Sequence, residues 1–220
     1  MTMIDSLHET NATVFVVDDD PEVRTGLQQL LDAIGMKVST FSSARDFLTG
    51  ITADRPGCVV TDIRMPGMTG IELQAELTGR GIRLPVIVIT GHGDVSSAVD
   101  AFHGGAIDFL QKPYRPQHMI SCIREALNRD QARRTLEQSL GKTKEQLASL
   151  TPRETEVMER LVDGKSTKEI ARELGIGLST VDYHRGNVLT KLEIDNVVSL
   201  AVAIQKYRES ESRLGASESL

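Results

Sequence analysis

The chain has 220 residues, 40% of them hydrophobic and 25% charged, which is enough for two small domains with buried cores. A formal net charge of -6 argues against a protein that coats nucleic acid or anionic lipid indiscriminately, so any DNA binding has to be local and selective. No apolar run nears the roughly 20 residues of a membrane span, and the start Met1-Thr2-Met3-Ile4-Asp5 lacks the basic and apolar regions of a secretory signal, which predicts a cytoplasmic protein with no membrane partner.

Over the first 127 residues short apolar runs alternate with amphipathic stretches. The runs Thr13–Val17, Met36–Phe41, Gly57–Asp62, Leu84–Thr90 and Ala106–Leu110 read as strands. Helical spacing occupies 21–34, 43–49, 69–78, 94–103 and 115–127. Such alternation predicts a five-stranded doubly wound parallel sheet, an α/β fold, because right-handed crossovers lay helices on both faces and Val/Ile-rich strands suit double burial. Cys58 and Cys122 stand among apolar residues without a CxxC partner, which predicts reduced core thiols rather than a disulfide or a metal site.

Functional groups of such a sheet gather at the carboxyl ends of its strands. Here the first strand ends in Asp18-Asp19-Asp20, the third in Asp62 and the fourth in Thr90, and the fifth runs on to Lys112-Pro113. Carboxylates on neighbouring strand ends repel unless a cation is present, and hard oxygen donors favour Mg²⁺. A carboxylate can accept a phosphoryl group as nucleophile while a metal and a lysine neutralise the equatorial oxygens. Asp62 suits the nucleophile, Lys112 the point charge and the Thr90 hydroxyl a hydrogen bond to phosphoryl oxygen. Taken singly, each of these residues also fits a helix cap or a solvated loop; taken together they form a constellation.

The segments VFVVDDDPEVR, VVTDIRMPGMTG, PVIVITGHGD and GAIDFLQKPY resemble, in order and spacing, the receiver domain of two-component response regulators over residues 10–128, with its flavodoxin/CheY-like fold. The resemblance implies that Asp62 is the phosphoacceptor and that Asp18, Asp19, Asp62 and the backbone carbonyl of Arg64 hold Mg²⁺. It further implies that Thr90 and Lys112 contact the phosphoryl group, that Lys112-Pro113 is a cis peptide, and that Phe109 takes the place of the aromatic switch residue beside Thr90. Core packing in the strand is the other reading of Phe109.

Residues 129–149 turn polar and charged, with Leu136, Leu140, Thr143, Leu147 and Leu150 in a heptad-like stripe interrupted by Gly141. Two heptads are too few for a coiled coil, so the segment reads as an interdomain helix whose stripe packs on a domain or briefly on a partner. Four helices follow, at 152–162, 166–174, 179–192 and 196–206. Thr151 caps the first with Glu154 three residues on and Pro152 at its first position; Asp163-Gly164 and Gly175 close the first and second. Two short helices joined by Gly175-Ile176-Gly177-Leu178 fit a helix-turn-helix whose second helix enters the major groove.

The stretch LTPRETEVMERLVDGKSTKEIARELGIGLSTVDYHRGNVLTKL resembles the DNA-binding domain of the LuxR/FixJ family. Carried over, this domain spans 150–208, with Val157, Leu161, Ile170, Ala171, Leu174, Val181, Val188 and Leu192 in its core. The recognition helix presents Thr180, Asp182, Tyr183, Arg185, Gly186 and Asn187, and Lys165, Lys168 and Lys191 are candidate phosphate contacts. Tyr183 and His184 read equally as base contacts or as packed side chains. From Thr151 to Asp195 seven Lys and Arg face nine Asp and Glu, so a single domain lacks the basic character of a tight DNA binder. Helix 196–206 is apolar around much of its circumference, which suits the family's dimer contact. Residues 209–220, rich in Ser and Glu, read as a disordered tail.

The expectation is a DNA-binding response regulator and not an enzyme, with phosphorylation of Asp62 by a histidine kinase controlling homodimerisation and transcription. Its partners would be an operator in double-stranded DNA, the kinase, RNA polymerase and a second copy of the chain. A signalling adaptor whose helical bundle binds protein is the alternative. A phosphatase or dehalogenase is disfavoured because Arg64, not a second carboxylate, stands two residues after Asp62, and neither GxxxxGK[ST] nor GxGxxG is present.

Overall fold

The computed structural model describes residues 12–91 and 106–217, in two compact units that divide after Arg134. The helix expected at 94–103 lies outside the described residues, as do residues 10–11 and 218–220. No helix among the described residues is long and apolar enough to cross a membrane.

The first unit is built on strands β1 (Thr13–Val17), β2 (Lys37–Phe41), β3 (Gly57–Asp62), β4 (Val86–Thr90) and β5 (Asp108–Gln111). They pair in parallel in the order β2-β1-β3-β4-β5, as the alternation predicts. Helices α1 (Pro21–Asp32), α2 (Ala44–Gly50), α3 (Gly70–Gly79) and α4 (Pro116–Ala148) follow β1, β2, β3 and β5. Side chains alternate across the sheet, so each strand feeds two cores. Phe15, Val17, Val59, Val86 and Val88 pack with Phe47 of α2 and Leu73 and Leu77 of α3. Val14, Val16, Cys58, Val60, Ile87 and Ile89 pack on the other face with Leu27 and Leu31 of α1 and Met119 and Ile123 of α4. Each fully buried aliphatic or aromatic side chain contributes about 1.5–3 kcal/mol relative to exposure. Both cysteines are free and buried.

Local chemistry sets the helix ends. Asp20 accepts the Glu22 amide at 2.8 Å with Pro21 in the first turn of α1, and Thr69 and Glu72 form a reciprocal capping box on α3.

The expected break between a helix ending at 127 and a separate linker helix is replaced by one helix, α4, from Pro116 to Ala148. Gly141 does not interrupt it: a surface glycine costs a helix only about 1 kcal/mol, and nothing crowds the position. The first unit also reaches past 128, because Asp130, 1% exposed, accepts the Gly57 amide at 3.0 Å and pairs with Arg133 and Arg134. Arg134 in turn donates to the backbone carbonyls of Ala53, Asp54 and Arg55 at the foot of β3.

The second unit holds α5 (Pro152–Val162), α6 (Thr167–Leu174), α7 (Leu178–Lys191) and α8 (Val197–Ser217). Capping boxes start α5 at Thr151 and α6 at Ser166, and Gly175 closes α6 in the left-handed region, φ 64°, where glycine carries no Cβ penalty. The core joins Val157, Leu161, Ile170, Ala171, Val181, Val188 and Leu192 to Leu200 and Ile204, with Leu174, Leu147 and Leu150 at its edge. Of the heptad-like stripe, its last leucines thus pack on this unit while Leu136 stays exposed. The tail expected to be disordered from 209 is helical through Ser217, and Gln205 with Glu209 and Tyr207 with Glu211 bond one turn apart at its start.

Candidate functional site

Strand register, not loop folding, assembles the pocket. Val17 is level with Thr61, so Asp18 and Asp62 emerge side by side from β1 and β3. Thr90 is level with Gln111, which sets Lys112 one residue beyond the edge of the sheet. Lys112 Nζ then lies 2.9 Å from Asp62 Oδ1 and 3.1 Å from Asp18 Oδ2. Both carboxylates and Thr90 are buried. The Lys112-Pro113 peptide is cis.

Each carboxylate is oriented by its other oxygen. Asp62 Oδ2 accepts the Arg64 amide at 2.7 Å, and Asp18 Oδ1 accepts the Asp20 amide at 2.9 Å. Arg24 ties the β1 end down by donating to the carbonyls of Asp18 and Asp19 at 2.6 and 2.9 Å. The Asp19 carboxylate is exposed and outside the Lys112 bridge. Phe109, level with Val88, is half-buried against the core of α2 and α3, a position that suits both packing and switching.

Burial raises the Asp18 pKa above the ordinary carboxylate range, and the neighbouring charge of Asp62 adds to it, while Lys112 and the Asp20 amide hold it back. For Lys112 burial acts downward, but the bonds and charges of Asp62 and Asp18 outweigh it and raise the pKa above the ordinary lysine value. Two carboxylates pressed together and relieved by a single ammonium form an oxygen-only donor set that can accept a hard divalent cation; Mg²⁺ fits, and zinc or copper would find no nitrogen or sulfur ligand.

Two positioning residues escaped the sequence reading. Gly70 opens α3 against the Asp62 backbone, where an added Cβ would stand 2.3 Å from the Asp62 carbonyl oxygen. Arg24, one turn into α1, carries no signal in sequence because its acceptors are backbone carbonyls.

On the second unit, α6 and α7 form the expected helix-turn-helix, with Thr180, Asp182, Tyr183 and Gly186 exposed and Arg185 and Asn187 half-buried. Lys168 is exposed. Lys165 pairs with Glu173 at 2.7 Å, and Lys191 pairs with the buried Glu154 at 2.6 Å and reaches the Ser149 carbonyl. These two lysines are thus engaged within the unit. His184 is half-buried with its Nδ1 enclosed, and its ring meets Tyr183 edge-on.

A buried carboxylate pair bridged by lysine at the carboxyl edge of a β2-β1-β3-β4-β5 sheet, followed in the same chain by a helix-turn-helix unit, is the build of a signal-receiving regulator with a DNA-binding output. Family comparison agrees: residues 14–124 match the response regulator receiver domain and residues 148–204 match the bacterial regulatory proteins of the luxR family. The chain is 44% identical over 188 residues to the transcriptional regulatory protein FixJ of Azorhizobium caulinodans, covering 85% of this chain and 89% of that one. It is 39% identical over 191 residues to nodulation protein W of Bradyrhizobium diazoefficiens, covering 87% and 84%. Among solved structures, the response regulator StyR is similar with a TM-score of 0.84 at 41% identity, covering 90% of this chain and 100% of that one. The chain belongs to the two-component response regulators that carry a LuxR-type DNA-binding domain. It is a DNA-binding regulator of transcription, from a family of transcription factors that are not typically enzymes, whose receivers generally bind Mg²⁺ at the phosphorylation site and whose domains imply DNA and a histidine kinase as partners. The luxR-family match favours DNA over protein as the target of the helical bundle.

Proposed function

We propose that Asp62 is the phosphoacceptor, that Asp18, Asp19, Asp62 and the Arg64 carbonyl hold Mg²⁺, and that the modified receiver controls DNA binding through dimerisation. The observation that carries this reading is the pair of hydrogen bonds that Lys112 Nζ donates, one to Asp62 and one to Asp18. The Arg64 amide holds Oδ2 of Asp62 and turns Oδ1 toward Lys112. An Asp62 oxygen attacks the phosphorus of the kinase's phosphohistidine; the new O–P bond forms as the P–N bond breaks, and the imidazole leaves. Mg²⁺, when bound, neutralises charge on the phosphoryl oxygens. Lys112 exchanges a carboxylate partner for a phosphoryl oxygen, and the Thr90 hydroxyl donates to another. The phosphoryl group adds about -1.5 to -2 charges, enough to redraw the local hydrogen bonds and carry Phe109 between two arrangements.

For the output, Thr180, Asp182, Tyr183, Arg185 and Asn187 read base edges, Lys168 contacts phosphate, and Lys165 and Lys191 contribute only if they exchange their acidic partners. His184 orients Tyr183. The near balance of acidic and basic residues leaves a single domain weak, so pairing two on a palindromic operator supplies the affinity. RNA polymerase is the downstream partner, and the cytoplasm the compartment.

The test is full-length protein incubated with a small phosphodonor and Mg²⁺. Acid-labile phosphate should appear in the wild type and be absent from Asp62→Asn, and operator affinity should rise only in the wild type. Labelling that persists in Asp62→Asn would overturn the assignment.

A further inference from the structure

Away from the strand-end pocket, three side chains of different ligand chemistry converge on the first unit. Asp108 opens β5, and His118 and Cys122 sit one turn apart on one face of α4. A carboxylate oxygen, an imidazole nitrogen and a sulfur thus all lie within 4.8 Å of one another. Cys122 is buried and donates its thiol proton to Asp108 Oδ2 at 2.9 Å. Asp108 Oδ1 is fixed by the Phe109 amide at 2.8 Å. The His118 side chain is exposed and makes no hydrogen bond among the described residues. Two donors are therefore held in place, and the third is free to swing.

We propose that Asp108, His118 and Cys122 bind one Zn²⁺ ion, with solvent in the fourth position. A sulfur, nitrogen and oxygen set is unsuited to Mg²⁺ and Ca²⁺ and is a common zinc combination. A thiolate and a carboxylate balance the charge of a divalent ion. Tetrahedral zinc with bonds of about 2.0–2.3 Å wants donors roughly 3.5 Å apart: the Cys122–Asp108 pair, now 2.9 Å apart, opens as the shared proton leaves, and rotation of the exposed His118 closes the third side. The Phe109 amide already orients Asp108, as outer-shell partners do around ligating carboxylates. The Cys122 thiol donates its proton to Asp108 Oδ2, and a metal would take the place of that proton. Binding then forms the S–Zn bond and releases that proton to solvent. The ion would fasten the first residue of the strand that carries Phe109 and leads to Lys112.

The probe is Co²⁺ added to full-length protein stripped with chelator, then displaced by Zn²⁺. One equivalent should give thiolate-to-cobalt charge transfer together with tetrahedral ligand-field bands, with one proton released per ion and bleaching by Zn²⁺. Cys58→Ser and Asp62→Asn should retain the signal, which separates this site from both the other thiol and the carboxylate pocket. His118→Gln, a surface change that spares the core, should weaken binding by at least about 100-fold, beyond the 10–100-fold typical of losing an outer-shell partner. Absence of the thiolate band at one equivalent would overturn the proposal, as would undiminished affinity in His118→Gln and Asp108→Asn or loss of the signal in Asp62→Asn.

Discussion

Gly70 lies against Asp62 so closely that the first atom of any side chain would stand 2.3 Å from the Asp62 carbonyl oxygen. The amide of Gly70 also donates to the Ile63 carbonyl at 3.0 Å, so α3 starts by pressing on the backbone that presents the Asp62 carboxylate. Gly70→Ala should destabilise the receiver by about 1–3 kcal/mol through overpacking and slow phosphate incorporation at Asp62. Denaturant unfolding and phosphorylation rates on the same preparation check both; a variant as stable and as reactive as the wild type would refute the positioning role.

Lys112 bonds both Asp18 and Asp62 and, with the amides of Asp20 and Arg64, offsets the repulsion between the two carboxylates. Lys112→Ala should cost about 2 kcal/mol, less than the 3–5 kcal/mol of a fully buried pair because the lysine side chain keeps 27% of its exposure. Mg²⁺ should restore more stability to this variant than it adds to the wild type, and chelation should reverse the gain. Thermal unfolding with and without Mg²⁺ measures the difference. Phosphate incorporation should survive in Lys112→Ala and Thr90→Ala, while the rise in operator affinity is blunted.

Glu154 titrates far from its ordinary range. The bond from Lys191, with the Thr151 amide behind it, holds its pKa at about 2 against a usual 4.5. A depressed folded value means that its stabilisation is complete above pH 4.5 and disappears as pH falls toward 2. Hydrogen exchange of α5 and α7 amides in the full chain should therefore accelerate across that interval, and Glu154→Gln should remove most of the dependence.

Lys168 and Lys191 should separate cleanly in DNA-binding assays. Lys168 is exposed, so Lys168→Ala should weaken binding equally on all sequences and reduce the salt slope by about 1. Lys191 is held by Glu154 and the Ser149 carbonyl, so Lys191→Ala should lower the thermal midpoint of the second unit and leave the slope unchanged.

The sheet and its pocket were legible because their signals are local. Four of the five short apolar runs end in or lead to a chemically distinctive residue, and a parallel sheet aligns those ends whatever the loops do. Gly70, Arg24 and the partners of Lys191 were hidden because their roles depend on backbone atoms or side chains distant in sequence. The same holds for α4: its charged middle signals a helix but not Asp130, whose partner Gly57 lies 73 residues earlier. Beyond Arg208, composition pointed to disorder while pairs one turn apart extend the helix.

That long-range bond bears on how such regulators can be taken apart and recombined. A graft that cuts at residue 128 keeps every strand yet discards the acceptor of the Gly57 amide and the guanidinium that gathers the carbonyls of Ala53, Asp54 and Arg55. The transplanted module would have a frayed foot beneath its third strand, whatever output it was given. The natural suture lies after Arg134, where the receiver has finished using the helix for itself.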